Sequence, residues 1–176
     1  MALQPASDPD GHPEFMNQIG ELCAAWSFLE YITDRILWRI LEVNPKIGSM
    51  LTANKDLGSR WNLLVNNAGP FVDENELALL QRINTLLATV AIDRNIAVHG
   101  QVLKNRGTKQ VFAVVTRGKH ADKHNLIDLP KIQTVIRNIK LLSLTATNIA
   151  NTYDWLDEEP VGEVNDDWAK PIEGFP

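Results

Sequence analysis

Residues 14–43 read EFMNQIGELCAAWSFLEYITDRILWRILEV and run from Glu14 to Val43 without a proline. Ile19, Leu22, Cys23, Trp26, Leu29, Thr33, Leu37 and Ile40 recur at steps of three or four, which puts them on one face of a long helix. Phe28, Ile32, Ile36 and Leu41 widen the apolar surface. A helix this apolar is expected to pack on two sides, within a bundle core alone or within a core and a dimer interface. Asn44-Pro45 ends it, because the residue before a proline avoids the helical region.

Working outward, a second helix is expected within 46–68, around Trp61, Leu63, Leu64 and Val65, with Gly48 and Gly58 blurring its start. Gly69-Pro70 is a break. Asp73 looks like an N-cap, and Glu74 and Glu76 suit the positive end of a helix. The third helix then runs through Leu77, Leu80, Ile83, Leu87 and Val90 to His99, with Gly100 as a left-handed stop. Gln101–Lys104 and Gln110–Thr116 are β-branched and flanked by turn residues, as in a hairpin or a small meander. Leu129-Pro130 introduces a last helix that continues to about Asp157. The expected fold is therefore all-α, a four-to-five-helix bundle with a short β-hairpin between the third and last long helices. Residues 1–13 are expected as a disordered lead, 14–157 as the helical domain and 158–176 as an acidic, disordered tail.

A hydrophobic fraction of 44% and a charged fraction of 22% are ordinary for a globular chain. The formal charge of −5 sits at the ends: Glu158, Glu159, Glu163, Asp166, Asp167 and Glu173 outweigh Lys170, and Asp8 and Asp10 add to them. The body is slightly basic, so an anionic partner is not excluded. The single cysteine, Cys23, permits no internal disulfide. With no leader-like start and no bilayer-length apolar run, a cytoplasmic protein without a membrane partner is expected.

Arg94, Asn95 and His99 fall within six residues at the end of the third helix. Asn95 and His99 share a face, whereas Arg94 is rotated about 140° from His99 in a regular helix. Convergence on one ligand is expected only if the last turn loosens or a second subunit supplies one of them. Two readings stay open: ordinary C-terminal capping by His99 with Arg94 paired to Asp93 or Glu76, or a site that binds and works on an anion.

Arg94-Asn95-x-x-x-His99-Gly100, together with Ile19-Gly20-x-Leu22-x-x-Ala25-Trp26-x-x-Leu29-Glu30, resembles the HEPN-domain family of bacterial proteins with an R-x4–6-H motif. The resemblance spans about 14–157. It implies a HEPN-like helical unit that dimerises and joins two such motifs in one cleft. Active members are metal-independent endoribonucleases that direct a ribose 2′-OH onto the neighbouring phosphate. By that analogy His99 moves protons, Arg94 holds the phosphate and Asn95 orients one or the other. Other members have lost activity. Partners implied are RNA, a second copy of the chain and, for a toxin-type member, a protein inhibitor or antitoxin; no cofactor and no metal are implied.

Glu30 lies on the inward stripe, where a carboxylate needs a partner. It is expected either to anchor Arg94 or His99, with Asp34 sharing the role, or to belong to an unrelated network. Lys104, Arg106, Lys109 and Arg117 make the hairpin region basic, either as a platform for RNA phosphates or as a solvated hairpin whose charge discourages edge pairing. His120 and His124 are four apart, but a metal would need this stretch to be helical and at least one further ligand, and the flanking Lys119 and Lys123 disfavour a cation. The functional alternatives to a nuclease are a non-catalytic dimeric module that binds nucleotide, RNA or protein, and a structural helical subunit of a larger assembly.

Overall fold

Most helices of this chain begin at a side chain that takes up backbone N–H groups left unbonded by a first helical turn. The computed structural model describes residues 3–5 (backbone), 12–114, 126–153 and 155. Its elements are β1 (Leu3–Pro5), α1 (Pro13–Ile40), α2 (Pro45–Thr52), α3 (Leu57–Ala68), α4 (Glu74–His99), β2 (Gln101–Asn105), β3 (Val111–Val114) and α5 (Leu129–Thr152). The fold is all-α with a short hairpin between α4 and α5, as expected.

The segment 46–68, expected to hold one helix, holds two, because it contains two caps. Asn44 Oδ1 accepts from the Ile47 N–H at 3.0 Å and starts α2, with Pro45 in the first turn. Asp56 Oδ1 accepts from the Ser59 N–H at 2.7 Å and starts α3, so Gly58 lies inside a helix rather than before one. Asp73 caps α4 reciprocally: the Glu76 N–H donates to Asp73 Oδ1 at 2.9 Å, and the Asp73 N–H to Glu76 Oε2 at 3.3 Å. The Tyr153 hydroxyl also donates to Glu76. Asp128 caps α5 through the Lys131 N–H at 3.0 Å.

Helix α1 stops three residues before the expected Val43. Glu42 takes φ 52°, and the Val43 N–H reaches back to the Trp38 carbonyl at 3.0 Å, which closes a Schellman turn on a non-glycine residue. Helix α5 stops at Thr152 rather than near Asp157, with Tyr153 in a turn and Trp155 outside the helix.

The strands form one antiparallel sheet in the order β1-β2-β3. Gln101 pairs with Val114 and Leu103 with Phe112, while Leu3 pairs with Asn105 on the other side of β2. The lead 1–13 was expected to be disordered throughout; at Leu3–Pro5 it is a strand. The free edge of β2 supplies backbone partners that no side-chain pattern in the lead announces. The rest of the lead up to Gly11 and the acidic tail 158–176 lie outside the described residues. Ala113 and Ile127 exchange both backbone bonds, at 2.8 and 2.9 Å, on the outer side of β3.

By contact, the chain divides into two units, residues 1–26 with 89–138 and residues 27–88 with 139–176. In the first, Leu22, Trp26, Ile96, Ala113, Ile127 and Ile132 are buried. In the second, Leu29, Ile36, Leu37, Trp61, Leu80 and Ile139 are buried, and Trp61 Nε1 donates to the Leu80 carbonyl at 3.1 Å. Gly48 belongs to the second unit, where a Cβ on it would come within 2.4 Å of the Trp38 ring. Phe28 and Tyr31 on α1 stack at 6.5 Å between centroids, yet are 48% and 47% exposed. Among the described residues no helix is long and apolar enough to cross a membrane.

Candidate functional site

The last turn of α4 is anchored from below and open above. Ile96 and Ala97 are buried, whereas Asn95 and His99 are exposed and Arg94 is half-buried. This turn lies in the first unit with Trp26 and the sheet.

Arg94 and His99 meet on one chain. Arg94 Nη1 lies 3.3 Å from His99 Nε2 and also donates to Asn95 Oδ1 at 3.0 Å. The two side chains thus meet without a loosened turn and within one chain. The helix stays regular to its end, with the Gly100 N–H bonded to the Ile96 carbonyl at 2.9 Å. The 140° rotation relates backbone positions, and the long arginine side chain crosses it. A guanidinium only donates, so His99 Nε2 accepts and its ring proton sits on Nδ1 in this arrangement.

Arg94 has no carboxylate partner among the described residues. Asp93, one of the two candidates from sequence, is bound to Lys131 at 2.8 Å. Glu76 is engaged in the α4 cap. In place of an acid, the Arg94 guanidinium carbon lies 5.2 Å from the centroid of the Trp26 ring. Arg94 Nε is buried without a hydrogen-bond partner among the described residues. Trp26 had been legible only as a core aromatic; no spacing within one helix announces a contact between α1 and α4.

Gly100 serves a different purpose from the expected left-handed stop, since its φ lies outside that region. A Cβ there would come within 2.4 Å of the Ile96 carbonyl oxygen, 2.9 Å of the Val114 oxygen and 3.0 Å of the Val114 nitrogen. Glycine is needed because the end of α4 lies directly on β3.

Of the other expected residues, Glu30, Asp34, Lys104, Arg106 and Lys109 lie within the described residues. Asp34 is bound to Arg60 at 3.1 Å, which corrects its expected role as an anchor for Arg94 or His99. Burial pushes the Asp34 carboxyl up, against the opposing pull of Arg60 and Thr52, and the Glu30 charge adds to the rise. Glu30 is half-buried one turn before Asp34, in the second unit. Lys104 is on β2, and Arg106 and Lys109 are exposed in the loop at its far end, about 13 Å along the strand from Gln101. Arg117, His120 and His124 lie outside the described residues. Among the described residues no three acidic, histidine or cysteine side chains are grouped as metal ligands.

Comparison with protein-family models, curated proteins and solved structures finds no match to this chain. The chemistry of the site is therefore read from its own geometry. At an exposed helix end one guanidinium touches both an amide oxygen and an imidazole nitrogen, a set suited to holding a phosphate and moving a proton beside it.

Proposed function

We propose that this chain is a HEPN-like protein that acts on RNA as a metal-independent endoribonuclease, with Arg94 and His99 as the working pair. The observation that carries the reading is the 3.3 Å contact between Arg94 Nη1 and His99 Nε2 at an exposed helix end. An arriving phosphodiester draws the guanidinium onto its non-bridging oxygens, which frees the Nε2 lone pair. His99 then takes the proton from the ribose 2′-OH, the O2′–P bond forms and the P–O5′ bond breaks. A second His99, in its imidazolium form and contributed by the other copy of a homodimer, returns a proton to O5′. The products are a 2′,3′-cyclic phosphate and a 5′-OH. The exposed Phe28–Tyr31 pair supports the dimer, since stacked aromatics left in water are interface material. In a toxin-type version of this reading, a protein inhibitor covers the open face of Asn95 and His99.

The test is cleavage of single-stranded RNA in the presence of a chelator, beside its 2′-deoxy counterpart. The expected result is cyclic-phosphate ends from RNA alone, and a loss on the order of 10²–10⁴-fold in His99→Ala. A His99→Ala protein that cuts as well as the parent ends the catalytic reading.

One observation favours a second reading. The Nε2 lone pair is already occupied by an N–H of Arg94. If the pair stays closed when an anion arrives, the chain is a non-catalytic module that binds the phosphates of nucleotide or RNA. Salt-dependent RNA binding without shorter products would establish that version.

A further inference from the structure

Arg60 and Arg94 are both half-buried and are held in opposite ways. Arg60 is neutralised: Nη1 pairs with Asp34 at 3.1 Å and Nε donates to the Lys55 carbonyl at 2.9 Å. Arg94 has an amide oxygen at 3.0 Å, an imidazole nitrogen at 3.3 Å and an indole face at 5.2 Å. None of these three partners carries a negative charge. Arg94 Nε is buried without a hydrogen-bond partner among the described residues.

A carboxylate would hold a guanidinium firmly but would cancel its charge and compete with any incoming anion. An aromatic face holds the same group through its quadrupole and leaves the full positive charge and the in-plane N–H donors for another partner. Trp26 is suited to this task because it is itself fixed, at 7% exposure, in the core of the same unit.

We infer that Trp26 is a positioning residue that presents Arg94 as an uncompensated cation to a phosphodiester. The inference rests on the proposed action on RNA for its ligand class. Trp26 touches neither the reacting atoms nor the phosphate; it acts through the plane and charge of Arg94. Asn95 completes the frame by holding Nη1 from the side of His99. The same argument assigns Arg60 a structural role, since its charge is already answered by Asp34.

The experiment uses full-length protein and a short 2′-O-methyl RNA, which binds but cannot be cut. The side-chain Nε–H signals of Arg94 and Arg60 are followed by NMR, with Arg94→Lys for assignment, alongside affinity by fluorescence anisotropy. The Arg94 proton is expected to carry an upfield ring-current shift in the free protein and to move on titration, while Arg60 stays still. Trp26→Leu is expected to abolish the ring-current shift and weaken binding on the order of tenfold, with Trp26→Phe restoring most of both. Equal affinity in the Leu and Phe variants overturns the inference, as does a parent protein that does not bind the probe. Should Trp26→Leu fail to fold, an Arg94 proton without ring-current shift in the parent overturns it alone. A parent that binds this RNA in a Trp26-dependent way but never cuts unmodified RNA leaves the inference standing and removes only the catalytic reading. A parent that cuts, with Leu and Phe variants alike, does the reverse.

Discussion

Arg94 Nη1 lies 3.3 Å from His99 Nε2, five positions further along the same unbroken helix. The donor belongs to the guanidinium, so the imidazole proton is on Nδ1. The neutral ring of His99 should therefore show the Nδ1–H pattern in long-range ¹⁵N–¹H correlation spectra. Arg94→Ala removes the donor and should shift the population towards the Nε2–H form. The same tautomer in both proteins would mean that the contact does not form in solution.

Asp56 gives a pH dependence with a defined sign. The Ser59 backbone N–H, 2.7 Å away, holds the Asp56 carboxyl below its ordinary value of 3.8. A carboxyl with a lowered value in the folded state contributes stability above the unfolded value and loses it as pH falls through the folded one. Asp56→Asn keeps a capping oxygen without the charge, so its stability should fall less steeply below about pH 4. Asp56→Ala removes the cap and should cost about 1 kcal/mol, a drop in Tm of roughly 2–4 °C in thermal melts near neutral pH.

Gly100→Ala tests the close approach of α4 and β3. The added methyl meets the Ile96 carbonyl at 2.4 Å and the Val114 backbone at 2.9 and 3.0 Å, and backbone atoms yield poorly. The expected cost is roughly 1–3 kcal/mol by chemical denaturation. Backbone amide shifts should change most at Val114 and His99. An alanine variant as stable as the parent would show that the helix end can lift from the strand.

Glu42→Gly should raise stability. Glu42 sits at φ 52°, where an L side chain costs about 1–2 kcal/mol. Glycine removes that cost but adds about 0.5–1 kcal/mol of unfolded-state entropy. The net gain should be roughly 0.5–1 kcal/mol in denaturant midpoints. A loss would mean that the Glu42 side chain makes a contact worth more than the backbone strain.

Much of the architecture was legible before any coordinates. The three- and four-residue spacing of Leu22, Trp26, Leu29 and Leu37 announced α1, and all four are buried. Asp73 followed by Glu76 announced the start of α4. The β-branched runs on either side of Asn105-Arg106-Gly107 announced the hairpin, and Asn105 Oδ1 does accept from the Gly107 N–H at 2.9 Å in its turn. Less visible were Asn44 and Asp56, whose caps divide one apparent helix into two. They were hidden by Gly48 and Gly58, which look like breaks in a string of letters but are tolerated inside a helix when packing or a cap compensates.

The sequence alone determined the long helices α1, α4 and α5, the hairpin of β2 and β3, and that Arg94, Asn95 and His99 end a helix, because periodicity and capping act within a turn or two of the chain. Tertiary structure decided that Leu3–Pro5 pairs with β2, that Asp34 belongs to Arg60, that Gly100 yields space to Val114, and that Arg94 rests on Trp26. Each of these joins residues far apart in the chain. Such contacts depend on which faces the folded backbone brings within a few ångströms, and one-dimensional spacing carries no record of that.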